Sequence, residues 1–236
     1  MAGDYFTFLD SKSQTISDDG FEPLFMPSQA FDYQRDLIEF AVKKGRVALY
    51  EDCGLGKSLQ ELAWAQNVAE HTNGNVLFLT PLAVTAQMEM EAKKFGIEAK
   101  RSRDGAVHRG ITITNYEKLH LFNPSDFDGM VCDESSILKG FDGKTRKALT
   151  EFCETIPYRL ACTATPAPND YMELGNHAEF LGVMTCTETL SLFFVHDGGD
   201  TSKWRLKRHA EQEFWKWICS WAVALRAPSD LGYSDG

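Results

Sequence analysis

Five short apolar runs, each followed by polar turn residues and then by a segment of helical spacing, limit most strongly what this chain can fold into. The runs are Val47-Ala48-Leu49-Tyr50, Val76 to Leu79, Ile111 to Thr114, Met130 to Cys132 and Tyr158 to Cys162. The helix-like segments after them lie at Ser58 to Glu70 and near residues 83–95, 116–121, 143–153 and 170–181. A further one precedes the first run, where Phe31, Leu37, Ile38, Ala41 and Val42 recur near helical spacing and stop at Gly45. Strands alternating with helices of this length predict an α/β fold, a parallel sheet with helices on both faces. Ligands of such sheets gather at the carboxyl ends of the strands, so function is expected in the turn after each run.

The remaining segments lack this alternation. Residues 1–30 are polar and turn-rich and predict a leader packed on a lobe formed by residues 31–183. Residues 184–226 read as an insertion without clear period followed by a helix within Trp204 to Leu225, and residues 227–236 resemble a linker. A chain of 236 residues with 43% hydrophobic and 12% aromatic content can build a core, which excludes disorder as its main state. Its 24 Lys plus Arg against 34 Asp plus Glu give a formal charge of −10. That charge disfavours a surface that grips nucleic acid everywhere, yet it leaves room for a local basic groove. No apolar run approaches the roughly 18 residues that span a bilayer, and no basic residue precedes Lys12. A cytoplasmic protein without a membrane partner is therefore expected. The six cysteines form no C-x-x-C pair and mostly sit in apolar stretches, which predicts reduced thiols in place of a zinc site or disulfide framework.

The sharpest local signal follows the first run: Glu51-Asp52-Cys53-Gly54-Leu55-Gly56-Lys57-Ser58, a glycine-rich turn that opens a helix. A phosphate chain needs converging backbone N–H groups, a close approach that side chains would block, and cations against its charge. Gly54 and Gly56 supply the approach, Lys57 would reach the β and γ phosphates, and Ser58 offers a hydroxyl to Mg²⁺. The positive end of the helix beginning at Lys57 adds to the attraction. The general pattern G-x-x-x-x-G-K-[ST] asks for glycine at position 51, where this chain has Glu51. Read alone, the segment also fits a glycine-rich turn with a surface lysine; its place between strand and helix favours the phosphate reading.

An NTPase also needs a carboxylate for its metal and a group that orients water. Asp133 and Glu134 end another apolar run, with Ser135-Ser136 after them. Asp133 would hold Mg²⁺ and Glu134 would polarise the attacking water. An isolated Asp-Glu pair is more often a solvated turn; its order after the glycine loop reverses that reading. A third cluster, Thr163-Ala164-Thr165-Pro166, also follows a strand, and its hydroxyls either bond the carboxylate loop or cap the next helix.

In sequence order these residues, with Gln34, Thr80-Pro81-Leu82, Ile113-Thr114-Asn115-Tyr116-Glu117 and Ala167-Pro168-Asn169, resemble motifs Q, I, Ia, Ib, II and III of superfamily 2 helicases. The resemblance is strongest to the Swi/Snf-like DNA translocases of phages and prophages, and spans roughly Phe31 to Asn169. It implies a RecA-like P-loop NTPase lobe that binds ATP and Mg²⁺. Gln34 would read the adenine edge, and Gly54, Leu55, Gly56, Lys57 and Ser58 would bind the nucleotide. Ser58 and Asp133 would hold the metal, with Lys57, Asp133 and Glu134 catalytic. Thr80, Pro81, Asn115 and Tyr116 match segments that contact the nucleic-acid backbone, and Thr163 and Thr165 would couple the two sites. Duplex DNA is the expected partner. Relatives carry a second RecA-like lobe with an arginine finger in a Q-x-x-G-R-x-x-R string, and this sequence has no such string. The chain is therefore expected to be a first lobe whose residues 227–236 lead toward a missing second lobe. The alternative is a nucleotide- and DNA-binding module with little turnover of its own. A small-molecule kinase would explain Lys57 and Ser58 but leaves the other clusters without a role.

Two basic segments are candidate flanks of a DNA track. Lys93 to Arg109 carries six cations against Glu98 and Asp104, and Lys203, Arg205, Lys207 and Arg208 surround Trp204. Each also fits a solvated face, and Trp215, Trp217 and Trp221 read as core or inter-lobe packing.

Overall fold

The computed structural model describes residues 19–139, 143–167, 170–197 and 200–235, without the side chains of 197 and 200–203. Expectations for the leader before residue 19, for Pro168-Asn169 and for the Lys203 side chain lie outside these residues. In chain order the first elements are α1 (Asp32–Lys44), β1 (Arg46–Glu51), α2 (Lys57–Thr72), β2 (Asn75–Thr80), α3 (Thr85–Lys94), β3 (Ala99–Arg101) and β4 (Gly110–Asn115). Then come β5 (Gly129–Asp133), α4 (Lys144–Cys153), β6 (Tyr158–Thr163), α5 (Glu173–Leu181) and α6 (Cys186–Phe193). The last are β7 (Phe194–Asp197), β8 (Asp200–Leu206), α7 (Glu211–Trp221) and β9 (Ala222–Leu225).

Seven of these strands form one parallel sheet in the order β3-β4-β2-β5-β6-β1-β9, while β7 and β8 pair antiparallel as a separate hairpin. All five apolar runs are strands of the sheet. Each central strand is buried on both faces because successive side chains point to opposite sides. In β1, Val47 and Leu49 pack with Ile38, Ala41, Leu62 and Trp64 of α1 and α2. Ala48 and Tyr50 face the other way, toward Leu149, Leu174, Phe180 and Trp221 of α4, α5 and α7.

The structure departs from the sequence expectations at four places. The segment 116–121 is a 3₁₀ turn. Between residues 184 and 203, α6 is started by a capping box in which Thr185 Oγ1 accepts from the Glu188 N–H at 3.2 Å and Glu188 returns a carboxylate to the Thr185 N–H. The strand β3 is polar, Ala99-Lys100-Arg101, and pairs only with β4 at the sheet edge. Finally, the helix expected to reach Leu225 stops at Trp221, and Ala222–Leu225 pairs with the open edge of β1. Among the described residues, no helix is long and apolar enough to cross a membrane.

Candidate nucleotide and catalytic site

Glu51, Thr80, Asn115, Asp133, Thr163 and Leu225 each end a strand of the sheet, so one edge gathers nearly all the residues singled out by motif. The glycine-rich turn leaves β1 and enters α2. Gly54 and Gly56 have φ of +91° and +79°, in the left-handed region open to glycine. A Cβ on Gly54 would meet nothing within 4 Å, so this face of the loop is open, whereas one on Gly56 would lie 2.2 Å from Gln34 Nε2. The N-terminus of α2 has no side-chain cap, which leaves its first amides aimed at the loop. Lys57 Nζ bends over the loop and donates to the carbonyls of Glu51 and Asp52 at 2.7 and 3.0 Å.

The Leu55 carbonyl fixes the loop from behind. Tyr33 Oη donates to it at 3.0 Å and Gln34 Nε2 at 2.9 Å, while Gln34 Oε1 accepts from the Phe31 N–H at 3.0 Å. Gln34 thus joins the start of α1 to the phosphate loop. At position 51 the backbone is extended strand, so glycine is not required there. The Glu51 side chain turns beneath the loop, where Gln60 Nε2 donates to it at 2.8 Å, and burial pushes its carboxyl up to about 7. Glu61, one turn of α2 beyond Lys57, is fully buried with neither carboxylate oxygen hydrogen-bonded. Burial and then the nearby Asp133 carboxylate push it well above the usual range. Sequence reading overlooked Glu61; a lone charged residue among Leu59, Leu62, Ala63 and Trp64 was the available signal.

Asp133 ends β5, which is separated from β1 by β6. Thr80 Oγ1 donates to Asp133 Oδ2 at 2.5 Å, and Tyr116 Oη donates to the Asp133 backbone carbonyl. Burial raises the Asp133 pKa; the Thr80 hydrogen bond opposes the shift. Glu134 adopts φ 53° and ψ 50°, a left-handed turn that sends its carboxylate away from Asp133. Thr163 Oγ1 donates to Glu134 Oε2 at 3.3 Å and accepts from the Thr165 N–H at 3.1 Å. Glycine loop, carboxylate pair and threonine turn therefore converge on one edge through three adjacent parallel strands. That arrangement has a counterpart among solved structures. A SWI2/SNF2 ATPase core from Sulfolobus solfataricus, solved with double-stranded DNA, superposes with TM-score 0.68 at 22% identity over 87% of this chain and 46% of that one.

This chain has the fold of a SWI2/SNF2 ATPase core.

The UvsW helicase of bacteriophage T4 is similar more distantly, with TM-score 0.54 and 16% identity over 78% of this chain and 66% of that one. In sequence, this RecA-like chain is 26% identical to Helicase domino of Drosophila melanogaster over 67% of its own length and 6% of that protein. It is 23% identical to the CHD3-type chromatin-remodeling factor PICKLE of Arabidopsis thaliana, over 67% of itself and 15% of that protein. The chain thus spans a small part of these relatives and under half of the Sulfolobus core. No protein-family model matches it.

Two further parts of the RecA-like edge bear on binding. A cleft of about 670 Å³ lies between Phe31 and Tyr33, the Gly54-Leu55 turn, and the segment Arg226 to Asp235. Phe31 is 68% exposed and lies parallel to Tyr33 with centroids 6.1 Å apart, a surface suited to a planar ring. The other part is a cleft of about 380 Å³ beside Leu82, Thr114 and Asn115, lined also by Arg101, Arg103 and Lys118.

The structure divides the first basic segment. Arg101 and Arg103 reach this carboxyl edge, whereas Lys100 and Arg109 line a cleft with Gly110 at the opposite end of β4. Arg101 is also paired with Glu89 at 2.6 Å. In the second segment Lys207 Nζ donates to the carbonyls of Ser191 and Leu192 at 2.7 and 3.0 Å, holding the end of α6, and Trp204 packs on His196. Trp217 and Trp221 are buried and Trp215 packs against Tyr171. The side chains of Thr80 and Tyr116, assigned by motif to nucleic acid, are buried against Asp133, and Asn115 is buried with its amide on Glu117. Pro81 and the 65% exposed Leu82 remain at the surface.

Proposed function

We propose that this chain is the nucleotide-binding RecA-like lobe of an ATP-dependent DNA translocase or helicase of the SWI2/SNF2 type, with the phage-type proteins as its nearest functional class. The observation that carries this is the convergence of the Gly54–Ser58 loop with Asp133, Glu134 and Thr163 on one sheet edge. The residues fit ATP and Mg²⁺: an open glycine cradle, uncapped amides at the start of α2, Lys57, the Ser58 hydroxyl and a Thr80-supported carboxylate at Asp133. Phe31 would take the adenine ring, and bound Mg²⁺ would offset phosphate charge. Gln34, expected from its motif to read the adenine edge, is instead buried with its amide on the Leu55 carbonyl and the Phe31 N–H, and acts on the nucleotide by holding the loop. Glu134, held by Thr163, orients water for attack on the γ-phosphorus. Duplex DNA, contacted along the Leu82, Arg103 and Lys118 cleft, is the proposed partner, together with a second RecA-like lobe that supplies the transition-state arginine. The cytoplasm is the proposed compartment.

The test is Lys57→Ala, assayed for ATP binding by calorimetry and, joined to a second RecA-like lobe that carries the arginine, for hydrolysis with duplex DNA, single-stranded DNA and RNA. Duplex-stimulated turnover in the wild type and its loss in the variant is the expected result. Wild-type turnover in Lys57→Ala would overturn the site assignment. Phosphate transfer to a metabolite without DNA stimulation would move the chain to another class.

A further inference from the structure

His177 lies on α5, fully buried, and nothing in the nucleotide site described above uses it. Its Nε2 is 3.2 Å from Ser135 Oγ. The ring meets Tyr50 edge-on at 5.4 Å, and Tyr50 in turn meets Trp221 edge-on at 6.5 Å. Nδ1 faces the Glu173 carbonyl one turn back but makes no hydrogen bond of ordinary geometry, and Tyr50 Oη and Trp221 Nε1 are buried without one as well. Burial lowers the imidazole pKa to about 4, so the ring is neutral. Each buried polar atom without a partner costs about 1–3 kcal/mol. A leucine would fill the space, but the imidazole adds polar contacts that a leucine lacks, with Nε2 on the Ser135 hydroxyl and the ring near the Glu173 carbonyl.

That contact falls at a sensitive point. Ser135 is fully buried and is the first residue after Glu134, which together with Asn73 makes up the non-glycine residues of positive φ among those described. A non-glycine residue in that region costs roughly 1–3 kcal/mol and persists where its surroundings hold it. The left-handed turn separates the two carboxylates, returning Asp133 to Thr80 and sending Glu134 to Thr163. A neutral imidazole has one donor and one acceptor, and a hydroxyl serves as either, so the pair is satisfied whichever nitrogen carries the proton.

We propose that His177 is a positioning residue for Glu134: by holding Ser135 Oγ it fixes the turn that aims the Glu134 carboxylate beside Thr163. This rests on Glu134 orienting water in ATP hydrolysis. His177 touches neither nucleotide nor water and acts through the backbone of the carboxylate loop.

The experiment compares His177→Leu and His177→Gln with the wild type, each joined to the second RecA-like lobe that supplies the arginine, the glutamine placing an amide where Nε2 lies. His177→Leu is expected to lower kcat for DNA-stimulated ATP hydrolysis on the order of 10- to 100-fold, the loss that a misplaced catalytic group brings. Its KM for ATP should stay within about two-fold and its Tm should change little, since the unpartnered Nδ1 is removed while the buried Ser135 hydroxyl loses its partner. His177→Gln should recover most of kcat. Full kcat in the leucine variant, or equal loss in both variants with a fall in Tm, would overturn the proposal. Crystal structures of both variants decide it independently of turnover. The leucine variant should lose the positive φ at residue 134 or its contact with Thr163; an unchanged turn there sinks the proposal. Failure of the wild type to hydrolyse ATP counts against the hydrolase reading, and the two structures still show whether His177 holds the turn.

Discussion

Gly56 meets two demands that only hydrogen in place of a side chain satisfies. Its φ of +79° is strained for any other residue, and a Cβ there would displace the Gln34 amide from the Leu55 carbonyl. Gly56→Ala therefore loses about 1–3 kcal/mol to backbone strain. It should also weaken ATP binding more than a neutral surface change, because Gln34 moves with it. Urea melts and nucleotide titration of the same sample check both effects; lower stability with unchanged affinity would show that Gln34 does not serve the nucleotide. Residues of this kind are legible in sequence, since a phosphate chain demands glycine and lysine at fixed spacing. Thr80 and Tyr116 are not. Their hydroxyls turn toward Asp133 because β2 lies beside β5, a pairing between segments 53 residues apart at Thr80 and Asp133 that no local pattern displays. His177 was hidden for the same reason, its partner Ser135 being 42 residues away.

Among the elements, β9 ties the end of the chain to the phosphate loop. Its Leu225 carbonyl accepts from the Asp52 N–H at 3.0 Å, and the Leu225 side chain, 2% exposed, packs with Tyr33, Leu37 and Leu55. The loop is thus held between Gln34 on α1 and an edge strand that follows α7. Leu225→Ala is expected to cost about 2–5 kcal/mol through lost burial and cavity formation. It should also weaken ATP binding several-fold, whereas an equally destabilising change at Leu149 beneath the opposite sheet face should leave affinity in place. Calorimetric binding at a temperature where both variants remain folded separates the two. Strands rich in apolar residues announced themselves, as all five runs show even where Thr112, Thr114 and Arg159 interrupt them. β9 did not, because Ala222-Val223-Ala224-Leu225 continues the apolar spacing of the Trp217-to-Trp221 helix, and only the open edge of β1 ends that helix. β3 was hidden by its polar Lys100 and Arg101. The Thr185-x-x-Glu188 cap, in contrast, was present in the sequence and overlooked.

Across the whole molecule, stability should respond to pH through buried groups on either side of the sheet that pull in opposite directions. Glu51 titrates near 7 in the folded chain against an ordinary 4.5, so between those values the folded state keeps a proton that the unfolded state has released. Its contribution makes stability fall as pH rises through that window, by about 3 kcal/mol at most. Glu61, raised by burial on the same side of the sheet, acts in the same direction. His177 does the reverse: neutral when folded down to about 4 but protonated when unfolded below 6.5, it makes stability rise with pH between those values by a similar amount. His177 therefore offsets part of the fall that Glu51 and Glu61 cause across the mildly acidic range. Glu51→Gln keeps the hydrogen bond to Gln60 and removes the titration. Relative to wild type, the variant should therefore gain stability steadily from pH 5 to pH 7 and hold a constant advantage above it, approaching about 3 kcal/mol in urea melts. A difference between the two proteins that does not change with pH would mean that the Glu51 carboxyl is ionised beneath the loop, and that the phosphate cradle carries a fixed negative charge at its base.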